Sequence, residues 1–222
     1  MKNINIAVDG PSGSGKSTLS RRAAAFLGYI YVDTGAMYRT IGLYAFRQGI
    51  TLECAEQVVS MLSDISIDLK YVDGEQLIYL NGENVSQEIR THIISSYASA
   101  VAKISEVRSF LLDRQRQLAA NNNVIMDGRD IGTVVLPDAD VKIFLTASPE
   151  IRAYRRFAEL KERGQKIDYD KLLQDIKERD YQDSHREIAP LCPSESSIIL
   201  DTSNLNFEES LDKLINIIKE NI

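Results

Sequence analysis

Residues 10–17, GPSGSGKS, set glycines at 10, 13 and 15 ahead of a lysine and a serine. This is the order G-x-x-x-x-G-K-[ST], in which main-chain amides converge on an anion and the following helix turns its positive end toward it. Lys16 would reach the β and γ phosphates of a nucleoside triphosphate, and the Ser17 hydroxyl would bind Mg2+. The expected triphosphate-binding run is therefore Gly10, Pro11, Ser12, Gly13, Ser14, Gly15, Lys16, Ser17 and Thr18. Three further stretches carry groups that suit phosphate or its counter-ions. VDTGAMYR (32–39) holds a carboxylate, a hydroxyl and Arg39, and reads either as a ligand site or as a helix cap with Arg39 exposed. DGRDIG (127–132) begins with Asp127 after an apolar run, where a Walker-B type acid would hold a magnesium ion or its water; Arg129 and Asp130 either face a ligand or close the turn on themselves. RDYQDSHR (179–186) sets Arg179, Asp183 and Arg186 on one helical stripe, which is either solvent face or active site.

Such loops must sit at the ends of strands. Five short, β-branched segments read as strands: NINIAV (3–8), YIYV (29–32), NVIM (123–126), VKIFLT (141–146) and SIIL (197–200). Helical patterns at 17–27, 36–48, 107–120 and 207–220 alternate with them, so a parallel sheet covered by helices on both faces is expected. Residues 65–85 break the rhythm with period-two alternation and turn signals at Asp73-Gly74 and Asn81-Gly82. They predict a small antiparallel meander that, with its flanks, forms an insertion over 62–98. A charged helical region, 149–189, opens at Pro149 and stops before Pro190.

The chain has 222 residues, 44% hydrophobic and 26% charged, with a net charge of −6. That is enough for a sizeable core, and the acidic balance argues against non-specific nucleic-acid binding. Apolar runs are only strand length and the N-terminus leads directly into a strand, so neither a membrane span nor a secretory signal is expected, and the location is expected to be cytoplasmic. Cys54 and Cys192 lack metal or disulfide spacing and read as buried thiols. His92 and His185 have no partner at metal-ligand spacing and read as surface residues. Arginine outnumbers lysine, and many arginines lie beside the motifs, where planar forks suit phosphate. No heptad or long apolar patch suggests assembly, so a monomer is expected.

GPSGSGKST, DTGAMYR, NGENVSQEIRT, DGRDIGTVV and IKERDYQDSHREIAPL, in this order over essentially the whole chain, resemble bacterial cytidylate kinases. The resemblance implies a P-loop NTPase fold with a five-stranded parallel core (1–61, 99–148 and 190–222), an enlarged acceptor-binding insertion (62–98), and a helical lid with an acceptor-binding segment (149–189). It implies Mg2+-dependent phosphoryl transfer from ATP to CMP or dCMP. The CMP phosphate would be held by Arg39, Arg129 and Arg186; Ser99, Arg108 and Asp130 would face the cytosine, Arg179 and Asp183 the ribose, and Thr34 would line the pocket. Lys16, Arg129, Arg186 and lid residue Arg156 would be the catalytic cations. Arg152, Arg155 and Arg156 share one helical face, read either as a charge clamp that arrives on lid closure or as a solvated face; Glu159 and Arg163 read as a surface pair.

A monophosphate acceptor fits this residue set. Its second pKa is about 6, so the attacking oxygen is largely anionic at neutral pH and needs no strong base. The difficulty is bringing two polyanions into line, which calls for cations and positioning. A guanine-reading N-K-x-D motif is absent from the sequence, which disfavours a nucleotide switch. A related kinase acting on UMP or a small metabolite is the remaining alternative.

Overall fold

The computed structural model describes residues 3–51, 54–72, 75–162, 164 and 167–222. By internal contacts the chain divides into two compact units, 1–31 with 122–222, and 32–121. The second contains the anticipated 62–98 insertion along with helices on both sides of it; the segment 149–189 belongs to the first.

A five-stranded sheet is built from β1 (Asn5–Asp9), β2 (Ile30–Asp33), β6 (Val124–Gly128), β7 (Val141–Thr146) and β8 (Ile198–Asp201), in the order β2-β6-β1-β7-β8. It is parallel, as expected from apolar strands separated by helices. All five sequence-read strands lie within a residue or two of these bounds. In the first unit, Ile6, Val8, Ile125, Ile143 and Leu145 pack with Leu19 and Ala23 of α1 (Lys16–Leu27) and with Leu214 and Ile218 of α8 (Phe207–Glu220). The start of α8 is fixed by a capping box: Asn206 accepts from the Glu209 amide, and the Glu209 carboxylate accepts from the Asn206 amide. Between β7 and β8, the charged segment forms two helices, α6 (Pro149–Glu162) and α7 (Tyr169–His185), joined by a small core of Ala153, Leu172 and Ile176.

The second unit holds the antiparallel meander of β3 (Ile67–Val72), β4 (Glu75–Leu80) and β5 (Glu83–Asn84), registered Ile67 to Leu80 and Tyr79 to Asn84. Asn81 and Gly82 both have positive φ, 49° and 85°, as the anticipated turn requires. The Asp73-Gly74 turn and the Glu159–Arg163 pair lie outside the described residues. The flank of the meander over 92–98 is helical, most of α4 (His92–Val101), capped by the Thr91 hydroxyl. Its buried Ile94, Ala98 and Val101 recur at i, i+4 and i+7 and give a core face against α2 (Thr34–Arg47). The crossing is close, since a Cβ on Gly42 would stand 2.9 Å from the Ala98 nitrogen and the Tyr97 Cβ. The unit is completed by α3 (Ala55–Ser60) and α5 (Ser105–Asn121).

The cysteines also differ from expectation. Cys54 is partly exposed and Cys192 exposed, since Cys192 falls in the irregular stretch before β8 rather than in a strand or helix. His92 and His185 are both exposed, as read from the sequence. No described helix is long and apolar enough to cross a membrane.

Candidate active site

Parallel pairing of β1 with both β6 and β7 brings three strand ends side by side, with Val8 opposite Asp127 and Asp9 opposite both Gly128 and Phe144. Ligands of open α/β sheets bind at such carboxyl ends. The loop 10–17 leaves β1 here. Gly10, at φ 152°, lies so close to β7 that a Cβ would fall 2.0 Å from the Leu145 carbonyl oxygen. Gly13 and Gly15 also have positive φ, 77° and 91°, the geometry that aims successive amides at one point. Lys16 and Ser14 are buried, Ser17 half-buried and Thr18 exposed. The Ser14 hydroxyl has no hydrogen-bond partner among the described residues, a donor suited to an anion in this loop.

Lys16 turns back over the loop, its Nζ donating to the Pro11 carbonyl at 3.1 Å. Burial, reinforced by the Arg129 guanidinium, pushes its ammonium down to about 7, while Asp127 works in the opposite direction. The Ser17 hydroxyl donates to Asp127 Oδ2 at 2.6 Å, and the Tyr31 hydroxyl reaches Oδ1 at 3.3 Å. Asp127 is 2% exposed at the end of β6. A hydroxyl and a carboxylate meeting beside a phosphate loop are hard oxygen donors of the kind Mg2+ takes when it keeps several waters, so the residues fit that ion.

The turn after β6 is not closed by its own Arg and Asp. Arg129 Nε instead donates to Asp183 Oδ2 at 2.8 Å, and Arg186 Nη2 to Asp130 Oδ1 at 3.3 Å, across 54 and 56 residues. The solvated-helix reading of 179–186 fails on the same contacts, since Asp183 is 8% exposed and the Arg186 side chain 7%. Burial alone would raise the Asp183 carboxyl, but Arg129, helped by Arg179 and Arg186, outweighs it and holds the group below the usual range. Arg179 belongs to the same charge cluster and contributes to depressing Lys16. Asp9, which sequence reasoning passed over, accepts from the Ile131 and Gly132 amides at 2.8 Å each and thereby holds the turn of 131–135 beyond the Arg129 loop. Its burial pushes its carboxyl up to about 6, although the two amides oppose the rise. A carboxylate ending β1 directly before the loop was the available signal.

In the second unit, the cap reading of VDTGAMYR is met at Asp33, but Arg39 is not the exposed residue that reading expected. Asp33 Oδ1 accepts from the Ala36 amide at 2.8 Å, while Oδ2 pairs with Arg39 Nη2 at 2.9 Å. Gln76 of β4 accepts from the Asp33 amide at 3.0 Å, so the meander braces this turn. Arg39 is partly buried, and its Nε has no hydrogen-bond partner among the described residues. Thr34 is buried, Ser99 half-buried on α4, and Arg108 buried on α5 with its guanidinium 5.9 Å from the Tyr38 ring centre.

The three arginines of α6 separate by role. Arg152 is 2% exposed, donating to the Ala147 and Ser12 carbonyls and paired with Asp180, and Arg155 donates to Thr202. Both side chains are engaged by groups of their own unit. Arg156 is half-exposed and makes no hydrogen bond or ion pair with any described residue.

Residues 6–220 match the family described as cytidylate kinase. A cytidylate kinase of Caldicellulosiruptor saccharolyticus is 53% identical over 97% of this chain and 95% of its own length. One of Caldanaerobacter subterraneus subsp. tengcongensis is 49% identical over 98% and 96%. The solved structure of an uncharacterized protein from Eubacterium ventriosum has the same fold, with a TM-score of 0.53 at 12% identity over 99% of both chains. Spanning nearly the full length of relatives that are half identical to it, the chain belongs to the cytidylate kinase family.

Proposed function

We infer that the chain transfers the γ-phosphoryl group of ATP to CMP or dCMP, giving ADP with CDP or dCDP. The observation that carries this reading is the charge cluster of the first unit. A buried Lys16 in a phosphate loop lies in the field of Arg129 and Arg179, and two arginine–aspartate pairs join the β6 turn to α7. So many guanidinium groups beside a phosphate loop suit two polyanions better than one.

In this reading Arg129 and Arg186, with Arg39 of the second unit, hold the acceptor phosphate. Thr34, Ser99 and Arg108 serve the acceptor nucleoside, and Arg179 and Asp183 its ribose. Asp130, a carboxylate and so an acceptor, takes the cytosine amino group, where uracil presents an acceptor instead. Arg129 and Arg186 are released toward the ligand by exchanging a carboxylate for a phosphate, a replacement between like partners. Lys16 leaves the Pro11 carbonyl for the transferring phosphate, and Arg156, the unengaged arginine of α6, adds charge near the leaving group. Ser17 directly, and Asp127 directly or through water, would hold Mg2+, which when bound neutralises charge on the β and γ phosphates. The acceptor oxygen is already anionic, and no residue of the cluster is assigned as a base. The reading carries with it a cytoplasmic monomer with no nucleic-acid or membrane partner.

The test is ADP release with CMP, dCMP, UMP and AMP offered separately. Turnover with CMP and dCMP well above the other two is expected; acceptor-independent hydrolysis, or preference for UMP or AMP, would overturn the assignment.

A further inference from the structure

Arg152 is one of three arginines read either as a charge clamp or as a solvated face, and its surroundings point to a different task. Its guanidinium makes one planar fork to three separate elements. Nε donates to the Ala147 carbonyl at 2.8 Å, just after β7; Nη1 donates to the Ser12 carbonyl at 3.0 Å and to Asp180 Oδ1 at 3.0 Å; Nη2 completes a bidentate pair with Asp180. The side chain is 2% exposed, and its Cβ also lies 3.5 Å from where a Cβ on Gly13 would stand. The outward carbonyl face of the phosphate loop is therefore anchored while its amide face stays available for an anion. The other end of the fork fixes α7 at Asp180, which adjoins Arg179 and precedes Asp183 by three residues, on the neighbouring row of the helix. A planar fork of five donors can set distance and orientation together, which a point charge cannot.

We propose that Arg152 and Asp180 form a positioning pair that sets the phosphate loop at a fixed distance from the α7 residues serving the acceptor. This rests on the kinase reading given above. Neither residue touches a reacting atom; they act through Ser12 on one side and through Arg179 and Asp183 on the other. Their loss shifts donor and acceptor relative to each other while both still bind. In-line transfer is sensitive to such shifts, with about a hundredfold rate loss for a displacement of about 1 Å, and a misaligned acceptor leaves water as a competing nucleophile.

The full chain is compared with Asp180→Asn, which removes the charge but keeps the shape, and Arg152→Lys, which keeps the charge pair but cannot bridge Ser12 and Asp180 with a single ammonium. ATP and CMP are varied, ADP and CDP are both quantified, and kcat is referred to the folded fraction measured by circular dichroism at the assay temperature. The expected result is a fall in kcat of about 10- to 100-fold, with both KM values within about threefold and more ADP than CDP formed. The double variant should lose no more than the worse single one, because both act through one link. The proposal is overturned by a kcat per folded molecule within threefold of wild type, by a loss carried by one KM alone with ADP and CDP equal, or by additive losses in the double variant. Should Asp180→Asn not fold, Arg152→Lys decides by the same criteria. If wild type makes no CDP from CMP, it is the kinase reading that has failed.

Discussion

Binding a nucleoside triphosphate at pH 8 should draw a proton from solution into the phosphate loop. Burial and the neighbouring Arg129 push Lys16 down to about 7, so at pH 8 only about a tenth of the protein carries that charge before nucleotide binds. A polyphosphate within hydrogen-bond reach restores the charged form. The uptake is then about 0.9 proton per nucleotide at pH 8, about 0.5 at pH 7 and about 0.1 at pH 6, and affinity weakens about tenfold per pH unit above 7. In the free protein Lys16 lies below the ordinary 10.5, so between about 7 and 10.5 the folded state binds fewer protons than the unfolded chain, and this group makes stability rise with pH across that window. Calorimetric titration with ATP in Tris and in phosphate at pH 8 gives the proton number from the difference in buffer ionisation heat. Lys16→Arg keeps its charge at every pH and should take up none. An absence of uptake by the wild type at pH 8, or equal uptake by the variant, would refute the reasoning.

Other outcomes follow from the same contacts. Gly10→Ala sets a Cβ 2.0 Å from the Leu145 carbonyl, so thermal denaturation should show a loss of about 3 kcal/mol or more, where a change under 1 kcal/mol would contradict the close approach. Asp130→Asn turns one acceptor oxygen into an amide and should lower the CMP to UMP ratio of kcat/KM by about tenfold or more; an unchanged ratio removes Asp130 from base reading. Asp127→Asn should raise the Mg2+ concentration needed for half-maximal rate by about tenfold or more, with a smaller change in the KM for CMP, and equal changes would place Asp127 elsewhere.

The strand frame was legible because its cause is local. β-branched runs such as VKIFLT are buried on one or both faces of the sheet, and β7 begins and ends where that run does. The phosphate loop was legible for the same reason, since glycine positions and helix start are fixed by neighbours in sequence. Helix α4 was not, because Ile93, Ile94 and three serines suit strand and turn as well as helix; what decides is the burial of Ile94, Ala98 and Val101 against α2. The pairing of Arg129 with Asp183 and Arg186 with Asp130 also lay beyond local reasoning, which saw an Arg and an Asp adjacent in one turn and could not see partners more than 50 residues away. On α6 the spacing of Arg152, Arg155 and Arg156 sets them on neighbouring rows of the helix. Which of them the protein itself engages depends on Ser12, Asp180 and Thr202, carbonyls and carboxylates supplied by other elements. Asp9 and Asp180 went unread because each is an ordinary carboxylate until its tertiary partner is known.

The most direct test of the account is phosphorus NMR of the protein with ATP, Mg2+ and an equimolar mixture of CMP, dCMP, UMP and AMP. Resonances of CDP and dCDP should grow ahead of the other diphosphates and in step with ADP. Inorganic phosphate as the sole new species, or UDP growing ahead of both cytidine diphosphates, would contradict it.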